Sequence, residues 1–353
     1  MDKKITSIIS IALLFATILA VVVPIGAAVR GATNFSGFNQ AGNLLITDQF
    51  NNRVIEVNPA TNQIVWSFGS GNGLLCNPGP HAIIGSNDAE RLSGGLTLMV
   101  GTGIPAGQAN TTPCVDNRVI VVNHQGEIVW KYGSAGKTGS GPNRLNTPVL
   151  AIETPNHDIM IVDQGNNRVI EVNQAGNIVW SYGPATGPGA LNTPNSAELL
   201  ANGHILIADE NNNRVIEITR DGQIVWQFSD SIVAAAFASR LPNGDTLITD
   251  SGNARIIEVT PAGSIIFAYF TNTDTNSNPS PLPTNAVKLA NGDISIADQF
   301  NHRAIIIDPS TGKVVYQYGQ TNVPGSGPDQ LYGPYTSYVI GDYTGQTPPP
   351  PTF

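Results

Sequence analysis

One short motif, written five times over, constrains this chain more than any other feature: ITDQFNNRVIEV (46–57), IVDQGNNRVIEV (161–172), IADENNNRVIEI (207–218), ITDSGNARIIEV (248–259) and IADQFNHRAIII (296–307). A shortened sixth copy, DNRVIVV, stands at 116–122. The motif arginines are Arg53, Arg118, Arg168, Arg214, Arg255 and Arg303, spaced 65, 50, 46, 41 and 48 residues apart. That spacing is the period of a four-stranded propeller blade. One such unit cannot bury its apolar face alone, whereas a ring of them can.

Each copy predicts the same strands and turns. A small-residue first strand such as Ser196–Leu200 leads through an Asn-Gly turn (Asn202-Gly203, Asn243-Gly244, Asn291-Gly292) to the motif's two alternating strands. A further turn such as Asp221-Gly222 opens a fourth strand with an aromatic at a fixed offset: Trp66, Trp130, Trp180, Trp226, Phe267 and Tyr316. These rings are expected between blades. Ala151, Ala197, Ala238 and Ala286 recur in the first strand, where only small side chains fit near a crowded axis. Asn195, Ser196, Thr284 and Asn285 fall at the same level and are candidate ligand-binding groups lining a central channel.

The chain end poses a closure problem, because GPDQLYGPYTSYVI (327–340) starts a seventh copy and then stops. The expectation is that Tyr335–Ile340 returns as the innermost strand of blade one, pairing with Leu44–Asp48 so that no sheet edge is left open. In the competing arrangement Asn34–Phe38 fills that place, and the free C-terminal strand assembles the chain into a surface polymer by strand donation.

The pattern resembles the NHL-repeat family of β-propellers, in which a Gly-rich loop runs through a proline to an Asp, then Asn and Arg, as in GSGPNRLNTP (139–148) followed by Asp163, Asn167 and Arg168. The likeness covers about residues 33–341 and implies an all-β, six-bladed propeller of four-stranded blades. As a guide to function it is broad, since the family includes extracellular sensors, scaffold and RNA-binding modules and a few lyases. Blade two departs most, with Gly101 where the Asp belongs and an insert, Thr102 to Val115, ahead of Asn117-Arg118.

Asp48, Asp163, Asp209, Asp250 and Asp298 each end a second strand before an Asn-rich turn, five residues ahead of an Arg. Such carboxylates cap backbone N–H groups and pair with the Arg. Spread around a ring, they do not converge on a metal. Zinc would call for imidazoles meeting at one face, and the five histidines are divided. His124, His157 and His204 fall in turns on one face, while His81 and His302 belong to the other. His81 is read as starting an innermost strand near the channel mouth, as a candidate ligand-binding residue. No catalytic constellation or metal set stands out, and no cofactor is expected, with calcium or zinc in the channel as the alternative.

Lys3 and Lys4 precede an apolar run, Ile5 to Val29, that ends in small residues. It reads as an export signal cut after Ala28, or as an uncut membrane anchor. The expected organisation is signal or anchor over 1–29, propeller over 30–343 and a Pro-rich extended tail over 344–353. Outside the cytosol, Cys76 and Cys114 are expected to bond, because their loops share a face within blade two. Glycan acceptors stand at Asn34 and Asn110. Net charge is -9 with only 17 Lys and Arg, so nucleic acid is a poor partner, and the membrane is reached only through an uncut N-terminus. The expected role is a secreted or cell-surface module, not an enzyme, that binds protein or glycan through the loop face. The alternatives are a metal-dependent lyase or hydrolase at the channel, or the polymer subunit.

Overall fold

In a computed structural model of the chain, residues 37–108 and 112–342 are described. The N-terminal apolar run, the acceptors Asn34 and Asn110, nearly all of the competing strand at 34–38 and the Pro-rich tail lie outside the described residues. The rest is a six-bladed β-propeller, each blade a four-stranded antiparallel sheet. Blade four shows the plan. Its strands, from the axis outward, are Pro194–Leu199, Ile205–Asp209, Arg214–Ile218 and Ile224–Phe228, with Asp209 paired opposite Arg214 across the tight turn.

The C-terminal strand closes the ring as the sequence predicts. Pro334–Val339 runs antiparallel to Leu44–Asp48, with Leu44 opposite Val339 and Ile46 opposite Ser337. Past the strand end, the Gly42 N–H donates to Ile340 O (2.9 Å) and the Ile340 N–H to Asn43 O (2.8 Å). Blade one therefore joins the two ends of the described propeller, and opening the circle costs a full ladder of hydrogen bonds.

Between blades the core is apolar. Ile205 and Ile207 of blade four pack in one cluster with Leu150, Met160 and Val162 of blade three, and equivalent clusters follow around the ring. Fourth-strand rings lock the interfaces that follow blades one to four, since Trp66, Trp130, Trp180 and Trp226 each donate Nε1–H to a carbonyl in the next blade's third-to-fourth turn: His124, Gln174, Arg220 and Pro261, at 2.9–3.1 Å. Tyr316 does the same with its hydroxyl, on Asn62 Oδ1 (3.0 Å). A second set of inter-blade bonds is ionic. Third-strand glutamates meet cations of the following blade: Glu56 with Arg91 (2.6 Å), Glu217 with Arg240 (3.0 Å), Glu258 with Lys288 (2.7 Å), and Glu171 with Arg220. Where blade six carries Ile306 instead, the facing first-strand residue is Val339.

Each motif Asp is a buried hub. Asp163 takes the Arg168 Nε–H (2.7 Å), the Asn166 Nδ2–H (2.7 Å) and, on its other oxygen, the backbone N–H of Asn146 (2.7 Å) in the loop that enters its own blade. Asp209, Asp250 and Asp48 repeat the pattern with Asn192, Val233 and Tyr332. The loop residue answers with its carbonyl, which accepts the N–H two places after the Asp: Gly165 to Asn146 O, Asn211 to Asn192 O, Gly252 to Val233 O, Phe50 to Tyr332 O. The arginine then reaches back with its Nη atoms to carbonyls of the same loop, as Arg214 does to Pro188 and Ala190.

Blade two restores the hub by another route. Asp116, two residues before Arg118 on the third strand, pairs with Arg118 Nε and accepts the Ile84 N–H (2.8 Å). Gly101 is required there, since a Cβ would stand 2.4 Å from Asp116 Oδ2. Blade six keeps Asp298 but places Pro281 where the loop N–H belongs. Phe300 still donates to Pro281 O (2.8 Å), yet a proline has nothing to return. Burial, with that donor missing, leaves the Asp298 carboxyl raised to about 6.

Pro281→Ala supplies the missing N–H. A raised carboxyl pKa means the folded chain binds more protons than the unfolded one between about pH 4 and 6, so stability is lost as pH rises through that window. The new donor is expected to lower the Asp298 pKa and add about 1 kcal/mol at pH 7.5, a charged hydrogen bond less the entropy the proline withheld from the unfolded chain. Little gain is expected at pH 4. Urea melts at the two pH values check this, and an equal change at both contradicts it.

Candidate functional site

The two faces of the disc differ. First-to-second and third-to-fourth turns form one, and Gly42 and Ile340, which flank the points where the described chain enters and leaves, pair there. The opposite face carries the hubs and their entry loops. It is this loop face that breaks the sixfold pattern.

Blade two's second and third strands, Thr97–Ile104 and Cys114–Val122, run past the disc as an extended hairpin. The two ends of the expected irregular insert are thus strand, with Ile104 opposite Cys114. A Cys76–Cys114 disulfide ties the hairpin to the loop entering the blade. Under it, Ile84, Ile104 and Cys114 pack with Phe50, Phe300 and Tyr332. Phe50 and Phe300 stand where other copies have Gly165, Asn211 and Gly252, so the aromatic filling is confined to the closure sector. Its rings meet at 5.2 Å (Phe50–Tyr332), 5.4 Å (His302–Tyr332) and 6.1 Å (Phe50–Phe300).

His302 belongs to a third ring of bonds. In blades one to four the left-handed Asn after the hub turn accepts an N–H just before the next blade's first strand: Asn52 from Gly85, Asn117 from Thr147, Asn167 from Thr193, Asn213 from Ala234, all at 2.8 Å. In blade six His302 takes that place, its Nδ1 accepting the Gly333 N–H (3.2 Å). Burial lowers its pKa to about 4, so the ring is neutral at physiological pH with its proton on Nε2.

Beside the hairpin lies a pocket of about 420 Å³ at the axis. One wall is aliphatic: Ile104, Pro105, Pro113 and Val115. The other side is polar, with Gln49, Asn87, Gln164, Glu210 and Tyr335 among its members. Gln49, Gln164 and Glu210 each directly follow a hub Asp, the place held by Thr102, Ser251 and Gln299 in the other blades. They form chains of bonds: Gln299 Nε2–H to Gln49 Oε1 (2.8 Å), Gln49 Nε2–H to Asn87 Oδ1 (2.7 Å), and Gln164 (3.3 Å) and Asn195 (2.8 Å) both to Glu210 Oε2. The Tyr335 hydroxyl donates to Asn195 Oδ1 (3.0 Å). Burial raises the Glu210 pKa.

Of the residues singled out in the sequence, Asn195 joins this network, and Thr284 is linked to it through Tyr335 O (2.6 Å). Ser196 and Asn285 instead cap the neighbouring innermost strand, accepting the Ala238 (3.2 Å) and Ser337 (3.3 Å) N–H groups. Asp88, Glu90 and Glu198 do the same for Ala151, Glu153 and Arg240, and burial raises all three, Asp88 to about 7. His81 does not start an innermost strand. That strand is Ser86–Arg91, and His81 is exposed, its Nδ1 on Gly126 O (3.0 Å) in a third-to-fourth turn. The reason is the long blade-two entry: Ile84 and Gly85 are already engaged by Gly103 and Thr102 of the hairpin. Among the described residues, no three His, Cys, Asp or Glu side chains converge as a metal site would need. The polar ring was missed because its signal is one residue per repeat, visible only once the hub Asp fixes the register.

No family model and no curated protein matches the sequence. Solved structures match the fold. A protein of unknown function from Bacteroides caccae aligns at TM-score 0.57 and 18% identity over 79% of this chain and 93% of its own. The propeller in the nidogen/laminin complex aligns at 0.55 and 12% over 83% and 97%. A catalytically inactive virginiamycin B lyase from Staphylococcus aureus, with quinupristin, aligns at 0.51 and 17% over 84% and 88%. At such identities the likeness extends to the architecture alone.

The disulfide spans 38 residues, for which chain entropy gives about 3–4 kcal/mol. A Cys76→Ser, Cys114→Ser double variant is expected to lose about that much in urea melts and to be cleaved by thermolysin between Pro105 and Pro113 at protease levels the native chain resists. Unchanged stability and protection would show that packing alone holds the hairpin.

Proposed function

We propose that this chain is an exported, non-catalytic interaction module of NHL-repeat type that holds a protein partner on its loop face, at the pocket beside the blade-two hairpin. The observation that carries the reading is the break in symmetry. The hub, the left-handed Asn and the fourth-strand ring serve the scaffold in blade after blade, and the one large departure from them is a cross-linked hairpin that walls a pocket at the axis. Loops on a rigid scaffold are where recognition resides.

Near the first and last described residues, Gly42 and Ile340 pair on the opposite face. The apolar run at 5–29, as signal or anchor, delivers the module to the cell surface. A propeller of the same architecture occurs in the nidogen/laminin complex, which illustrates the fold in a protein assembly. Protein is preferred to glycan because the lining offers the aliphatic groups of Ile104, Pro105, Pro113 and Val115 and a single aromatic, Tyr335.

A benzophenone amino acid placed at Pro105 on the hairpin, and separately at Asn202 on the turn face, tests this in the cells that make the protein. A discrete protein adduct from position 105 and none from 202 is expected. Adducts from 202 alone, or equally from both, contradict the assignment of the loop face.

A further inference from the structure

One carboxylate of the loop-face pocket differs from the residues at the equivalent place in the other blades. Glu210 sits where Gln49, Gln164 and Gln299 stand in their blades, and those amides serve the same ring of hydrogen bonds. The ring therefore does not need a charge at this place. The four third-strand glutamates each have a cation within reach, whereas Glu210 forms no ion pair among the described residues and the pocket lining contains no Lys, Arg or His. Both hydrogen bonds it accepts reach Oε2, from neutral amides. A half-buried carboxylate with no counter-ion is costly unless something arrives to pair with it.

Opposite the carboxylate side, the hairpin offers hydrocarbon. We propose that the pocket receives a lysine side chain of the protein partner, its ammonium on the Glu210 carboxylate and its methylenes along Ile104, Pro105, Pro113 and Val115. Lysine combines an apolar stem with a compact charged head, and the pocket combines an apolar wall with one charge and a rim of amides. The pocket volume of about 420 Å³ has room for the side chain together with adjoining backbone, for which Asn87, Asn146 and Gln164 supply donors and acceptors. This inference rests on the interaction-module reading above.

The test uses the full chain and two capped tripeptides, acetyl-Gly-Lys-Gly-amide and its norleucine counterpart, titrated by calorimetry up to about 10 mM. The lysine peptide is expected to bind at least about tenfold more tightly than the norleucine peptide. Glu210→Gln is expected to remove that preference while leaving the melting temperature unchanged or higher, as the glutamines of blades one, three and six foretell. The peptide comparison on the unmodified chain decides the matter even if the variant fails to fold. Equal binding of both peptides, no binding by either, or a lysine preference that survives in Glu210→Gln overturns the proposal. If, in any of those cases, the adduct at position 105 still forms, the module reading stands and only the lysine assignment falls.

Discussion

The loop face hangs from one buried carboxylate per blade. Removed from water, such a group is unfavourable unless its oxygens are fully engaged, and here they take a guanidinium, an amide and a loop N–H together. Breaking a buried pair of this kind costs about 3–5 kcal/mol, so the motif sets the path of the chain into each blade. The two exceptions show that the need belongs to the position and not to the residue: Asp116 crosses from the neighbouring strand to stand over Gly101, and Asp298, facing Pro281, is left with its Oδ1 lacking a donor among the described residues.

The same logic governs the seam where the chain ends meet. Closure by Pro334–Val339 brings Gly333 against Phe50, so closely that a Cβ on Gly333 would stand 2.5 Å from the ring. His302 supplies there, as a neutral acceptor, the bond that asparagine supplies in four other blades. The aromatic cluster and the disulfide-tied hairpin then build up one sector of the face, leaving a pocket beside them. Asymmetry on a symmetric disc thus arises from the devices that close it and from one long insert.

Much of this was legible in the sequence, because repetition fixes period, strand order and closure at once. The pairing of Cys76 with Cys114 followed from counting which loops share a face. What escaped was side-chain substitution in space. Nothing in the order of residues says that Asp116 fills the room left by Gly101, or that His302 and Asn213 perform one task. His81 was misplaced because the entry to blade two carries extra residues paired to the hairpin, which delays the first strand to Ser86. The polar ring of Gln49, Gln164 and Glu210 lay in view, one residue past each hub, but appeared as turn composition until the fold brought the copies together.

The hubs hold the entry loops and so make them a rigid platform for the pocket. Residue-resolved amide hydrogen exchange measures this directly. The N–H groups of Ile84, Asn146, Asn192, Val233 and Tyr332 lie in loops, yet each donates to a buried carboxylate. They are expected to exchange as slowly as the strand amides beside them, orders of magnitude below exposed loop residues such as Thr186. Exchange at the rate of open loops would contradict the account, for the platform would then be ordered by something other than the hubs.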